Sequence, residues 1–145
     1  MPSMKEILLH KGATVHRIEP DATVLEAAHL MNQQQVGAVL VTSATGLLGI
    51  FTERDLLRRV VGQSRDPAGT RVRDVMTTDV ACGSVDTSLE EARGVMKNRR
   101  IRHLPILDEK GGLLGLVSLG DLNAWQLDGQ EMTIRYLHDY IYGRA

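Results

Sequence analysis

The chain has 145 residues, 43% of them hydrophobic and 24% charged, a composition that excludes an intrinsically disordered segment and fits one compact domain or two small half-domains. Seventeen Lys and Arg face eighteen Asp and Glu; cutting at Thr70 leaves 7 of each sign before it and 10 basic against 11 acidic after it, so neither half is the polycation that nucleic acid demands. The single cysteine, Cys82, excludes an internal disulfide and a cysteine-based zinc site, suits a reducing compartment, and has neutral neighbours that predict a buried small hydrophobe.

Met4 to Leu9 predicts a short helix that stops at Gly12, and Val15 to Ile18 a short strand. Thr23 and Glu26 stand in capping-box spacing and open a helix to about Gln34, with Val24, Ala27, Ala28 and Met31 on one face. Val36 to Thr42 and Leu47 to Phe51 read as a hairpin around Ser43 to Gly46. Thr52 then opens a helix over Asp55 to about Val61, with Leu56, Leu57, Val60 and Val61 as core candidates, and Gly62 to Gly69 is the linker candidate.

The same order returns. Gly49-Ile50-Phe51-Thr52-Glu53-Arg54-Asp55 has a counterpart 66 positions later in Gly115-Leu116-Val117-Ser118-Leu119-Gly120-Asp121. Upstream, Val72 to Met76 answers Met4 to Leu8, Val80 answers Val15, Ser88 and Glu91 answer Thr23 and Glu26, and Ile101 answers Val36. The offset grows by one residue between Ile101 and Gly115, inside the second hairpin turn, where an insertion is tolerated. The fold class is therefore α+β: two β-α-β-β-α units, each too small to bury a good core alone, packed on one another about an approximate two-fold axis. The boundaries expected are 1–66, 67–126 and a helical extension over 127–145, in which Met132, Ile134, Leu137 and Ile141 carry too much apolar surface for a free tail.

Thr52/Asp55 and Ser118/Asp121 have the spacing of helix caps, and a purely structural capping role is one reading of them. A helix N-terminus also offers free N–H groups and a positive dipole end, beside which a hydroxyl, a carboxylate and Arg54 suit a sugar joined to phosphate. Catalytic signatures are missing: the five histidines lack metal-ligand spacing, and there is no Walker loop, Gly-x-Ser-x-Gly or dinucleotide fingerprint, so no enzyme and no metal site are expected.

With Arg102-His103-Leu104-Pro105-Ile106 leading into the second Gly-to-Asp motif, the doubled pattern over about residues 4 to 126 resembles a tandem pair of cystathionine-β-synthase-type (CBS) domains, a stand-alone Bateman module. The resemblance implies a regulatory sensor of an adenosine-containing ligand: AMP, ADP or ATP, with NAD(H) or S-adenosylmethionine as further candidates. It implies two clefts, lined by Val15, His16, Thr77, Val80 and Ala81 at the strand entries and by Val36, Gly37, Ala38, Ile101, Arg102 and His103 at the hairpin starts. The closing motifs add Ile50, Thr52, Arg54 and Asp55, and Leu116, Ser118 and Asp121, with the aspartates on ribose. Gly120 stands where the first motif has Arg54, so the first cleft is the better candidate for a charged ligand. Lys97, Arg99 and Arg100 read equally well as phosphate partners or as cations on a helix C-terminus.

The expected partners are an adenine nucleotide, a second copy in a homodimer and an unidentified regulated protein, without nucleic acid or membrane. Neither a secretory signal nor a stretch of about eighteen apolar residues is present, and a cytoplasmic location is expected. The rival readings are a dimerisation module with vestigial clefts and, last, a nucleotide-processing enzyme.

Overall fold

The computed structural model describes residues 2–12 and 14–128. Helix α1 (Met4–Lys11) is followed by strand β1 (Arg17–Ile18), α2 (Val24–Gln34), and the hairpin β2 (Ala38–Ser43) and β3 (Gly46–Thr52). A one-turn helix α3 (Glu53–Asp55) then runs into a π-helical turn, Leu56–Val60, and a 3-10 turn, Val61–Gln63. The second half comprises α4 (Val72–Val75), α5 (Leu89–Arg99), the hairpin β4 (His103–Leu107) and β5 (Leu113–Ser118), and α6 (Leu119–Asp128).

Both long helices begin as their sequences dictate. The Thr23 hydroxyl accepts the Glu26 N–H at 3.1 Å, and the Ser88 hydroxyl accepts that of Glu91 at 3.1 Å, with the Glu91 carboxylate returning to the Ser88 N–H. They also end alike, on Gln35 and Arg100, each left-handed at φ 54°. In the first sheet β1 runs parallel to β2, pairing Arg17 with Leu40 and Ile18 with Val41, and β2 pairs antiparallel with β3.

Among the described residues, the second sheet holds only β4 and β5, so the strand expected around Val80 is not formed. Its place is taken by a single bridge, in which the Gly83 N–H donates to Pro105 and the Gly83 carbonyl accepts from Leu107. The chain then turns away because Ser84 and Thr87 bond to one another through backbone and side chain. The first strand is likewise shorter than Val15 to Ile18. Cys82 is exposed, contrary to the buried thiol expected: it lies next to bridged Gly83, in an extended stretch where neighbouring side chains point to opposite sides.

Helix Asp55 to Val61 is also corrected. The wider π-turn breaks the α-helical period, so Val60 is fully buried, Leu56 is partly buried, and Leu57 and Val61 are 64% and 59% exposed. The Gly62 to Gly69 segment is a set of tight turns, held by Arg65 N–H to the Val60 carbonyl and Thr70 Oγ1 to the Asp66 carbonyl. The C-terminal helix expected beyond Asp128 lies outside the described residues.

Among the described residues, the core is divided into three clusters that exchange elements between the halves. Val72 and Val75 of α4 pack with Val24, Ala27, Met31, Val39, Val41, Phe51 and Val60 of the first half. Met4, Ile7 and Leu8 of α1 pack with Ala92, Met96, Leu104, Ile106, Val117 and Leu122 of the second. The third cluster lies between the sheets, where Ala38, Leu40 and Ile50 meet Val15, Val80, Leu113 and Leu116. The exchange extends to the helix starts, whose free N–H groups need acceptors: Val24 N–H donates to Thr70 and Leu89 N–H to Pro2. Each half is thus completed by the segment that precedes the other.

The crossing segments pass close to both motif glycines. A Cβ on Gly49 would lie 2.6 Å from the Thr77 carbonyl oxygen, and one on Gly115 would lie 2.6 Å from Leu8 Cδ2. At Gly49 the neighbour is backbone, so only a residue without a side chain lets the crossing segment lie this close to the strand, whereas at Gly115 it is the end of a leucine side chain.

Candidate functional site

Between the halves lies a cleft of about 760 Å³, within the usual range for a small-molecule site. Its first wall is Gly37, Ile50 and the turn from Thr52 to Asp55, backed by Arg58 and Arg59 one turn later. Its floor is the crossing segment, with Thr77, Asp79, Val80 and Ala81, and its second wall is Arg99 to His103 with Ser118, Leu119 and Gly120. The hairpin starts are presented to the cleft because each closing motif folds back onto one: Glu53 N–H donates to the Gly37 carbonyl and Leu119 N–H to that of Arg102.

Asp55 is the buried charge of this cleft, 5% exposed. Its Oδ2 accepts the Thr52 N–H at 3.0 Å and the Thr52 hydroxyl at 3.2 Å, and its Oδ1 accepts the Thr77 hydroxyl at 3.0 Å. Thr52 Oγ1 accepts the Asp55 N–H in return, so the capping box read from the sequence is formed and is tied across the halves through Thr77. Arg59 Nε approaches Oδ1 at 3.7 Å while its Nη1 donates to the Met76 carbonyl. A carboxylate offers roughly four acceptor positions, so three protein hydrogen bonds leave little unused capacity.

Among the described residues, the positive charge of the cleft exceeds the negative, with six arginines against Glu53, Asp55 and Asp79. Arg54 Nη1 donates to the Arg100 carbonyl at 2.7 Å, placing a cation on the exposed end of α5 and joining the walls. Arg99 pairs with Asp79 at 3.0 Å. Among the described residues, the guanidinium groups of Arg58, Arg100 and Arg102 have no hydrogen-bond or ion-pair partner within the chain. His103 is held below the ordinary imidazole range: burial disfavours its charged form more than the Glu53 carboxylate favours it.

Of the residues expected at the two clefts, this one gathers Gly37, Ile50, Thr52, Arg54, Asp55, Thr77, Val80, Ala81, Ile101, Arg102, His103 and Ser118. Val15 and Leu116 lie instead in the seam between the sheets, Ala38 is buried there, and Val36 packs on the first core. His16 uses its carbonyl to hold β2 through the Leu40 N–H. Asp121 is partnered elsewhere: its Oδ2 accepts the Ser118 N–H at 2.8 Å and the Lys11 ammonium at 2.6 Å.

The sequence reading missed Glu53, Arg58, Arg59, Asp79, Leu119 and Gly120 as lining residues. The signal for Arg58 was present, since it follows Arg54 at the four-residue spacing that places side chains on one helix face. Apolar patches, hydroxyls, a buried carboxylate and unpaired guanidinium groups together suit an anionic ligand that also carries hydroxyls and a flat apolar portion. No group of three or more His, Cys, Asp or Glu side chains suited to a metal ion occurs among the described residues. No helix among them is long and apolar enough to cross a membrane.

The CBS domain profile matches residues 13–62 and 72–128. The CBS domain-containing protein YhcV of Bacillus subtilis is 40% identical over 130 residues, covering 90% of this chain and 89% of that protein. A protein with CBS domains from Burkholderia ambifaria MC40-6 is 37% identical, with a TM-score of 0.84, over 88% of this chain and 96% of its own. The CBS domain protein PAE2072 from Pyrobaculum aerophilum, solved in complex with AMP, shares the fold at a TM-score of 0.73 and 22% identity, over 82% and 88% of the two chains. Matched in both halves, and along most of a relative at 40% identity, this chain belongs to the CBS-domain family as a tandem CBS pair.

Proposed function

We propose that the chain is a regulatory adenine-nucleotide-binding module whose ligand occupies the cleft between Thr52–Asp55 and Arg99–His103. The observation that carries this reading is the joining, in one cleft of nucleotide size, of the Thr52/Asp55/Thr77 group with an excess of arginine. Ile50, Val80 and Ile101 supply apolar surface for a purine. The Asp55 carboxylate is the acceptor for ribose hydroxyls, which compete with Thr77 for Oδ1, and Arg58, Arg100 and Arg102 receive the phosphate end. The AMP complex of the Pyrobaculum aerophilum relative supports an adenosine ligand for this family.

Regulation follows from the way the halves are interleaved. A ligand joining both walls favours the arrangement in which Arg54 reaches the Arg100 carbonyl, and it shifts the population by its differential affinity for that arrangement. Calorimetric titration with AMP and ATP tests the reading, with GMP and GTP as comparisons. Saturable heat with the adenine nucleotides is expected, and its absence with all four removes the proposal.

The proposal includes a homodimer and a regulated partner protein. Leu57 and Val61, exposed and four residues apart on the turns after the first motif, form an apolar pair that a second copy would cover. Sedimentation of the wild type and of Leu57→Lys/Val61→Lys tests this, a shift from dimer to monomer being expected.

A further inference from the structure

We propose that Lys11 is a built-in occupant of the second cleft, so that each chain takes a single nucleotide, at the first cleft. This rests on the nucleotide reading above, since it concerns the pseudo-equivalent site. By the repeat, Leu116 and Asp121 stand where Ile50 and Asp55 stand in the first half, 66 positions earlier. In the first half the Ile50 carbonyl accepts the Thr77 N–H at 2.9 Å and Asp55 accepts the Thr77 hydroxyl at 3.0 Å. Both donors are short, and the cleft beside them stays open. In the second half one ammonium serves both acceptors: Lys11 Nζ lies 2.5 Å from the Leu116 carbonyl and 2.6 Å from Asp121 Oδ2.

The difference arises in the crossing helices. Helix α4 ends at Val75, which leaves Thr77 extended for backbone pairing with Ile50. Helix α1 continues to Lys11 and is closed there by the Gly12 N–H on the Leu8 carbonyl, so a long side chain reaches the strand where the backbone does not. Its position is fixed, because Met4, Ile7 and Leu8 are buried in the second core and Leu8 fills the space against Gly115. A ribose reaching Asp121 would have to replace a charge-assisted bond with neutral ones. Nothing in the second motif draws the phosphate in compensation, since Gly120 stands at the position of Arg54. None of Lys11, Leu116 and Asp121 lines the first cleft.

The stoichiometry of AMP binding by calorimetry, on wild type, Lys11→Met and Lys11→Arg, tests the proposal. Methionine keeps the apolar stem and removes the donors, whereas arginine keeps the charge. One AMP per chain is expected for the wild type and for Lys11→Arg, and two for Lys11→Met; Lys11→Ala replaces Lys11→Met if the latter does not fold. Two per chain in the wild type, or one in every variant, overturns the role of Lys11 and leaves the nucleotide reading standing. No AMP bound by any of them removes both.

Discussion

Lys11 delivers from one ammonium the two hydrogen bonds that Thr77 delivers from a backbone N–H and a hydroxyl. The two halves therefore keep the same acceptors, a strand carbonyl and a motif carboxylate, and differ in the donor that crosses to them. The donor sets the character of each site. Thr77 is neutral and leaves the Asp55 charge to face Arg59, 3.7 Å away, whereas Lys11 neutralises Asp121 within the fold.

Thr77→Val keeps the shape of the crossing segment and removes its hydroxyl. Asp55 Oδ1 is then left short of a donor in a buried place, at a cost of about 1–3 kcal/mol. Urea unfolding is expected to show this loss for Thr77→Val and a change below about 0.5 kcal/mol for Thr77→Ser, which restores the hydroxyl. Equal loss in both variants would assign the effect to the backbone and not to the bond.

The Lys11–Asp121 pair sets a pH dependence. Burial raises the Asp121 carboxyl, but hydrogen bonds from Lys11 and Ser118 outweigh it and hold the group below the usual carboxylate range. A depressed folded value contributes stability that is present above the unfolded carboxylate pKa and is lost as pH falls through the folded one. Melting temperature followed from pH 7 downward is expected to fall less steeply in Lys11→Met than in the wild type across that acid window. Parallel curves would show that the pair carries no linkage.

The hairpins and the caps were legible in the sequence because they are local: a hydroxyl three residues before an acid, or an apolar run ending in glycine, has one favourable geometry, and the repeat was legible because these local signals recur 66 positions apart. The crossing of α1 and α4 was not legible, since Met4 and Val72 read as ordinary apolar residues and only packing reveals that each lies on the other half. The residues expected at a second cleft failed to gather for the same reason. Leu116 and Val15 satisfy their apolar surface in the seam, and Asp121 is satisfied by a lysine 110 residues away. The π-turn after Asp55 also escaped, because Leu56 to Val61 fits an α-helical pattern that the backbone does not follow.

His103 gives a second dependence on pH, tied to the ligand. Burial keeps the imidazole neutral near pH 7, and protonating it costs folded stability as pH falls below the unfolded value. On the proposed reading, a phosphate held by the neighbouring Arg102 would raise the imidazole pKa, and His103 would take up protons on binding. Calorimetry of AMP below the ordinary imidazole pKa, in buffers of different ionisation enthalpy, is expected to show less proton uptake in His103→Gln than in the wild type. Identical uptake in both would place the titrating group elsewhere.

On the proposed reading, the arginines of the cleft decide how much of a nucleotide's affinity resides in its phosphates. Arg54 and Arg99 are engaged with the Arg100 carbonyl and Asp79, whereas Arg58, Arg100 and Arg102 face the cleft without partners among the described residues. Each is exposed, so solvent screens it and a phosphate contact contributes about 1 kcal/mol, less than a buried pair would. Affinity is expected to rise from adenosine through AMP to ATP, and the ATP value to weaken as salt increases while that of adenosine stays level. Arg58→Ala and Arg100→Ala are each expected to weaken ATP roughly fivefold and to leave adenosine unchanged, because about 1 kcal/mol is close to that ratio. Fluorescence titration at two salt concentrations reads all of these values. Equal losses for adenosine and ATP would mean that the arginines hold the walls together and do not meet the phosphates.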